Sequence, residues 1–215
     1  MSRTTRRRTI RAVAPVAGLL AAGLLVWQGS YAAFSATTTN QADAWTTGSL
    51  VLANNGGVGT VYSGSTAALF SLSNLRPGDS GSRCITVDSG GSLAGTLKLY
   101  TGTVTNTNVA NPSSNLSSKL GLVVTAATLA TGDTVDATCV AGSGTVAFPG
   151  VATAVYSGTL SGLGTSYAAS AGAGMSVAGG AGHRVAYRIS WSVDPTVDNT
   201  YQSASTTADL VWELQ

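Results

Sequence analysis

Apolar and polar positions alternate with a period of two along much of this chain, and helical periodicity is almost absent. From Arg184 to Val193, the residues Val185, Tyr187, Ile189, Trp191 and Val193 fall on one face, while Arg184, Arg188, Ser190 and Ser192 fall on the other. The last segment repeats the pattern, with Ala208, Leu210, Trp212 and Leu214 opposed to Asp209 and Glu213. Leu93, Leu97 and Leu99 alternate with Thr96 and Lys98, and Leu120, Leu122 and Val124 form another set. Shorter candidates are Ser49 to Leu52, Ala68 to Leu72, Arg83 to Asp88 and Val155 to Leu160. These runs are half-buried strands bounded by Gly, Asn, Asp and Ser turns, which predicts an all-β fold. Antiparallel sheets facing each other across one core, as in a sandwich or jelly roll, are the usual solution. The stretch from Val140 to Gly182 carries no charge and is dominated by Ala, Gly, Ser and Thr. It reads as an insertion or long loop region within a single domain, with short small-residue strands packing against a neighbour subunit as the other reading.

Composition sharpens this picture. Charged residues make up only 9% of the chain and glycine numbers 27, a balance typical of extracellular β proteins with many turns. Five of the eleven basic residues (Arg3, Arg6, Arg7, Arg8 and Arg11) stand in the first eleven positions. They precede an apolar run from Ala12 to Val26, and Ser30-Tyr31-Ala32 places small residues where a signal peptidase cuts. The run is shorter than the ~20 residues of a bilayer span and contains Pro15, Gly18 and Gly23. Residues 1–32 are therefore expected to be a cleaved signal peptide, with Ser30, Ala32 and Ala33 framing the cut, a domain over 33–215, and a secreted product with no stable membrane span. Beyond the leader, six basic residues face nine acidic ones, so no basic stripe is available for nucleic acid.

Export also makes the cysteines legible. Cys84 and Cys139 are the only two, and an oxidising compartment favours joining them over leaving two buried thiols. Catalytic chemistry is poorly supplied. Gly78-Asp79-Ser80-Gly81 matches the core of a serine-protease nucleophile motif. However, the single histidine, His183, follows the serine by about a hundred residues, and Leu75 to Asp79 reads better as a Pro-Gly turn. Glu213 is the sole glutamate and no H-E-x-x-H is present, so no enzyme and no cofactor is expected. The densest oxygen cluster, Asp194 to Asn199, offers a weak calcium candidate in Asp194, Asp198 and Asn199 against the plainer reading of a turn between strands.

Three stretches together resemble the TasA/camelysin family of secreted bacterial biofilm-matrix proteins. One is Tyr31-Ala32-Ala33-Phe34-Ser35-Ala36-Thr37-Thr38 followed by Gly48 to Leu52. Another is Leu75-Arg76-Pro77-Gly78-Asp79-Ser80 leading to Ile85-Thr86-Val87 and Leu97-Lys98-Leu99-Tyr100. The third is Asp198-Asn199-Thr200-Tyr201-Gln202 with the closing strand Thr207 to Gln215. The resemblance covers both ends of the exported part and not its middle. It implies a jelly-roll-like β-sandwich that self-associates into filaments by donor-strand complementation, with Ala33, Phe34, Ser35, Ala36 and Thr37 as the donor. An added strand satisfies the unpaired N–H and C=O groups of an open sheet edge, so the scheme is physically sound. The camelysin branch also carries a metallopeptidase reading, which a chain with one histidine and one glutamate supports poorly. A monomeric cell-wall or carbohydrate-binding module is the other rival.

Overall fold

Side-chain alternation decides where the strands lie, and burial follows it. In the computed structural model the described residues are 36–37, 50–57, 59–64, 66, 68–108 and 111–215. They form strands β1 (Ala36–Thr37), β2 (Leu52–Asn54), β3 (Ser80–Ser89), β4 (Gly95–Thr107), β5 (Leu120–Thr128), β6 (Thr153–Thr159), β7 (Met175–Val177), β8 (His183–Val193) and β9 (Ser205–Leu214). The only helical pieces among them are single 3-10 turns at Leu116–Ser118, Leu160–Gly162 and Asn199–Tyr201.

All pairings are antiparallel and make two sheets, one ordered β1-β9-β4-β7 and the other β2-β3-β8-β5-β6. Val185, Tyr187 and Ile189 of β8 point between the sheets. They meet Ile85 and Val87 of β3, Leu122, Val124 and Ala126 of β5, and, from the opposite sheet, Leu97, Leu99, Met175, Val177, Trp212 and Leu214. Fully burying each large aliphatic or aromatic side chain in such a layer contributes about 1.5–3 kcal/mol. The Tyr187 and Trp212 rings meet edge to face at 5.8 Å and tie the two sheets together. The expected all-β antiparallel sandwich is thus the architecture.

The outer face of the larger sheet is not bare. Leu129, Val135, Cys139 and Phe148, from the segment after β5, cover Cys84, Ala127 and Ala186. The Cys84–Cys139 disulfide, with Cα atoms 5.3 Å apart, fastens this cover to β3. Thr86 is buried beneath it and its hydroxyl donates to the Val135 carbonyl while accepting from the Val135 amide. Arg184 closes the far end. It pairs with Asp88 at 2.8 Å, donates to the carbonyls of Gly132 and Asp133, and lies 4.6 Å from the centre of the Tyr62 ring.

The uncharged 140–182 stretch holds loop and strand together: its first part completes the cover, and it supplies β6, where Val155 to Leu160 is expected, and β7, a strand of each sheet. Small uncharged residues suit edge strands whose outer faces are not backed by core. Ala68 to Leu72 is not a strand; Leu69 and Phe70 drop onto the core from irregular backbone, which imitates alternation. The early strand is Leu52–Asn54, with Leu50 and Val51 before it outside the strand, because its partner on β3 ends at Ser89, opposite Leu52; Ser49 lies outside the described residues.

Candidate functional site: the outer edge of β9

Strand β9 forms because its apolar positions alternate, and its inner face is held by β4. Gln215 and Thr96 exchange both backbone hydrogen bonds, at 2.7 and 3.2 Å. In an antiparallel pair such residues alternate with non-bonded ones, so Glu213 and Val211 also face β4. Leu214, Trp212 and Leu210 then direct their N–H and C=O groups to the opposite edge. There β1 is paired, with Ala36 opposite Leu214 and Thr37 opposite Glu213. From Ser205 to Trp212, no described strand pairs with β9 on that side.

Of the sequence-predicted donor residues, the structure therefore brings Ala36 and Thr37 to a sheet edge. Ala33, Phe34 and Ser35 lie outside the described residues, as do Ser30 and Ala32 of the expected cleavage site.

The opposite edge of the same sheet is closed. β7 covers only Gly95 to Leu97 of β4. Beyond it, a loop seals the strand: the Thr101 amide and hydroxyl donate to the Gly164 carbonyl, and the Ser170 hydroxyl donates to the Leu99 carbonyl. The Tyr167 hydroxyl donates to the Thr96 carbonyl, and its ring lies 4.7 Å from the Lys98 ammonium. This loop carries no hydrophobic periodicity, so nothing in the sequence marked it as an edge cover.

Beside β1, the outward face of β9 holds an unexpected buried group. Glu213, read from the sequence as solvent-facing, is only 6% exposed. Its carboxylate accepts from the Tyr100 hydroxyl at 2.8 Å and from the Gln215 side-chain amide at 2.7 Å. Burial, and next the hydrogen bond to Glu213, push the Tyr100 phenol well above the usual tyrosine range.

The remaining candidates are dispersed. His183 opens β8 opposite Ser89, and Arg76 to Asp79 is a type II turn with Gly78 at φ 85°, its Asp79 carboxylate accepting from the Arg76 amide. Asp194 pairs with Lys119 at 2.9 Å and accepts from the Thr196 amide and hydroxyl; these contacts, Thr196 first, hold its carboxyl down at about 2. Asp198 instead caps the 3-10 turn after it through Thr200, so the two aspartates among the weak calcium candidates each serve their own turn, and Asn199 opens that 3-10 turn. Among the described residues, no three His, Cys, Asp or Glu side chains gather in a metal-binding group. Compared with known proteins, the chain is matched by no family model and by no curated protein.

Proposed function

We propose that this protein is a secreted structural subunit of extracellular or cell-surface fibres, in which the N-terminal segment of one copy completes the smaller sheet of the next. The observation that carries this reading is the pairing of Ala36 and Thr37 with Leu214 and Glu213. The edge strand of the sheet comes from the first residues after the expected cleavage point, on the edge that the loop after β6 leaves uncovered. Such a segment satisfies the same backbone groups whether it comes from its own chain or from a neighbour's. A head-to-tail contact of this kind does not close on itself and so builds filaments.

The strand order supports the jelly-roll form of the sandwich that the TasA/camelysin resemblance implies. The first strand lies beside the last, β9 separates it from β4, and β8 sits between β3 and β5, as two nested Greek keys require.

The test uses two purified forms, one starting at Ala33 and one lacking residues 33–40, compared by electron microscopy and size exclusion. Filaments from the Ala33 form alone are the expected result. If both forms remain monomeric under varied pH and salt, or both build filaments, donor-strand assembly by this segment is excluded.

A further inference from the structure

Arg188 stands in the middle of the outward face of the larger sheet, opposite Cys84 on β3 and Thr125 on β5. Its guanidinium lies 4.6 Å from the centre of the Phe148 ring, at the rim of the disulfide-fastened cover. None of its nitrogens has a hydrogen-bond acceptor among the described residues, and no carboxylate lies within ion-pair distance. The Nε–H is cut off from solvent and unpartnered, whereas the terminal nitrogens reach the surface. Two acids of this face and its cover are engaged elsewhere, Asp88 with Arg184 and Asp136 with the hydroxyls of Thr138 and Thr145, and Asp133, the third, makes no ion pair with Arg188. The other β8 arginine and Lys119 both have carboxylate partners.

A partly desolvated cation without a counter-charge is costly to hold, because buried charges in folded proteins are normally paired and hydrogen-bonded. Phe148 fixes the planar group by stacking, so the rotamer entropy of a later contact is already spent. Its terminal nitrogens offer two parallel donors to one oxyanion, and the hydroxyl-bearing Thr125 and Ser190 share the same sheet face.

We propose that Arg188, seated on Phe148, is an anion-binding site that takes a single carboxylate or phosphate group. The site lies on the sheet opposite the β1–β9 edge and stands or falls independently of filament formation. The overall acidic balance of the exported part predicts weak binding to a free ion, with Kd about 1–10 mM.

The full-length protein is titrated calorimetrically with sodium phosphate and, separately, with sodium acetate at fixed ionic strength. Saturable one-to-one binding of either anion, weakened about tenfold or more in Arg188→Gln, is the expected result. Tighter phosphate binding assigns the site to phosphate-bearing ligands, and tighter acetate binding assigns it to carboxylates. Absence of saturable heat with both anions, or unchanged binding in a folded Arg188→Gln protein, overturns the proposal. Should that variant fail to fold, the Arg188 Nε–H resonance of the wild-type protein decides. A saturable shift on adding phosphate or acetate supports the site, and an unmoved resonance with both removes it.

Discussion

Tyr187 is fully buried between the sheets, yet its hydroxyl has no hydrogen-bond partner among the described residues. Burial pushes this phenol far above its ordinary range, and Tyr100 is displaced in the same direction by burial and then by Glu213. Both stay neutral in the folded chain past the pH near 10 at which an unfolded tyrosine ionises. Above that pH the folded state binds more protons than the unfolded state. Their contribution is therefore fully present below about pH 10 and is lost as pH rises, by up to about 1.4 kcal/mol per pH unit for each phenol. Urea midpoints are expected to hold steady up to about pH 10 and then fall. Because the orphaned hydroxyl contributes only desolvation cost, Tyr187→Phe should stabilise the protein by about 1 kcal/mol and flatten the alkaline decline. A loss of stability in urea denaturation would show that the hydroxyl has a partner in solution.

At the scale of elements, the informative contrast lies between the two edges of the smaller sheet. One is sealed by a loop through three hydrogen bonds, from the Thr101 amide and hydroxyl to the Gly164 carbonyl and from the Ser170 hydroxyl to the Leu99 carbonyl. The other holds β1 through two residues. Ala36→Pro removes an amide that faces Leu214, so β1 should detach at a stability cost of about 1 kcal/mol while the remaining strands stay paired. Amide exchange checks this directly: Leu214 should lose protection, and Thr101, whose amide donates to the Gly164 carbonyl, should keep it. Strands β5, β8 and β9 were legible in the sequence, because each has one buried face and solvent or a small cover on the other. β6 was legible from Val155 and Tyr156, but β7 was not, since three residues are too few to establish a period. Ala68 to Leu72 misled for the converse reason, with Leu69 and Phe70 reaching the core without any strand partner.

At the scale of the whole molecule, the sandwich core and the outer cover are two apolar clusters on opposite faces of the larger sheet, and only the second is fastened covalently. The disulfide joins residues 55 apart in sequence, and closing that loop restricts the unfolded chain by about 4 kcal/mol on the entropy model. Replacing Cys84 and Cys139 together with serine should cost roughly that amount, lower the melting temperature, and raise hydrogen exchange at Val135 and Val146 first. Phe148→Ala empties part of the same cover and should cost about 3 kcal/mol with the disulfide intact. Equal melting temperatures for the oxidised protein and the double serine variant would mean that the cover holds without its bond.

The all-β class, the faces of the long strands and the cysteine pair could be read from residue order alone, because alternation is a local property and two cysteines allow one pairing. Which strands are neighbours could not be read, since pairing joins positions as distant as Ala36 and Leu214 and depends on the closure of the whole sandwich. The same holds for Glu213 and Arg188, both ordinary polar positions in an alternating strand. Tertiary packing alone placed Glu213 under the Tyr100 hydroxyl and left Arg188 stacked on Phe148 without a counter-charge among the described residues, because only the assembled fold decides which polar groups lose water and which find a partner.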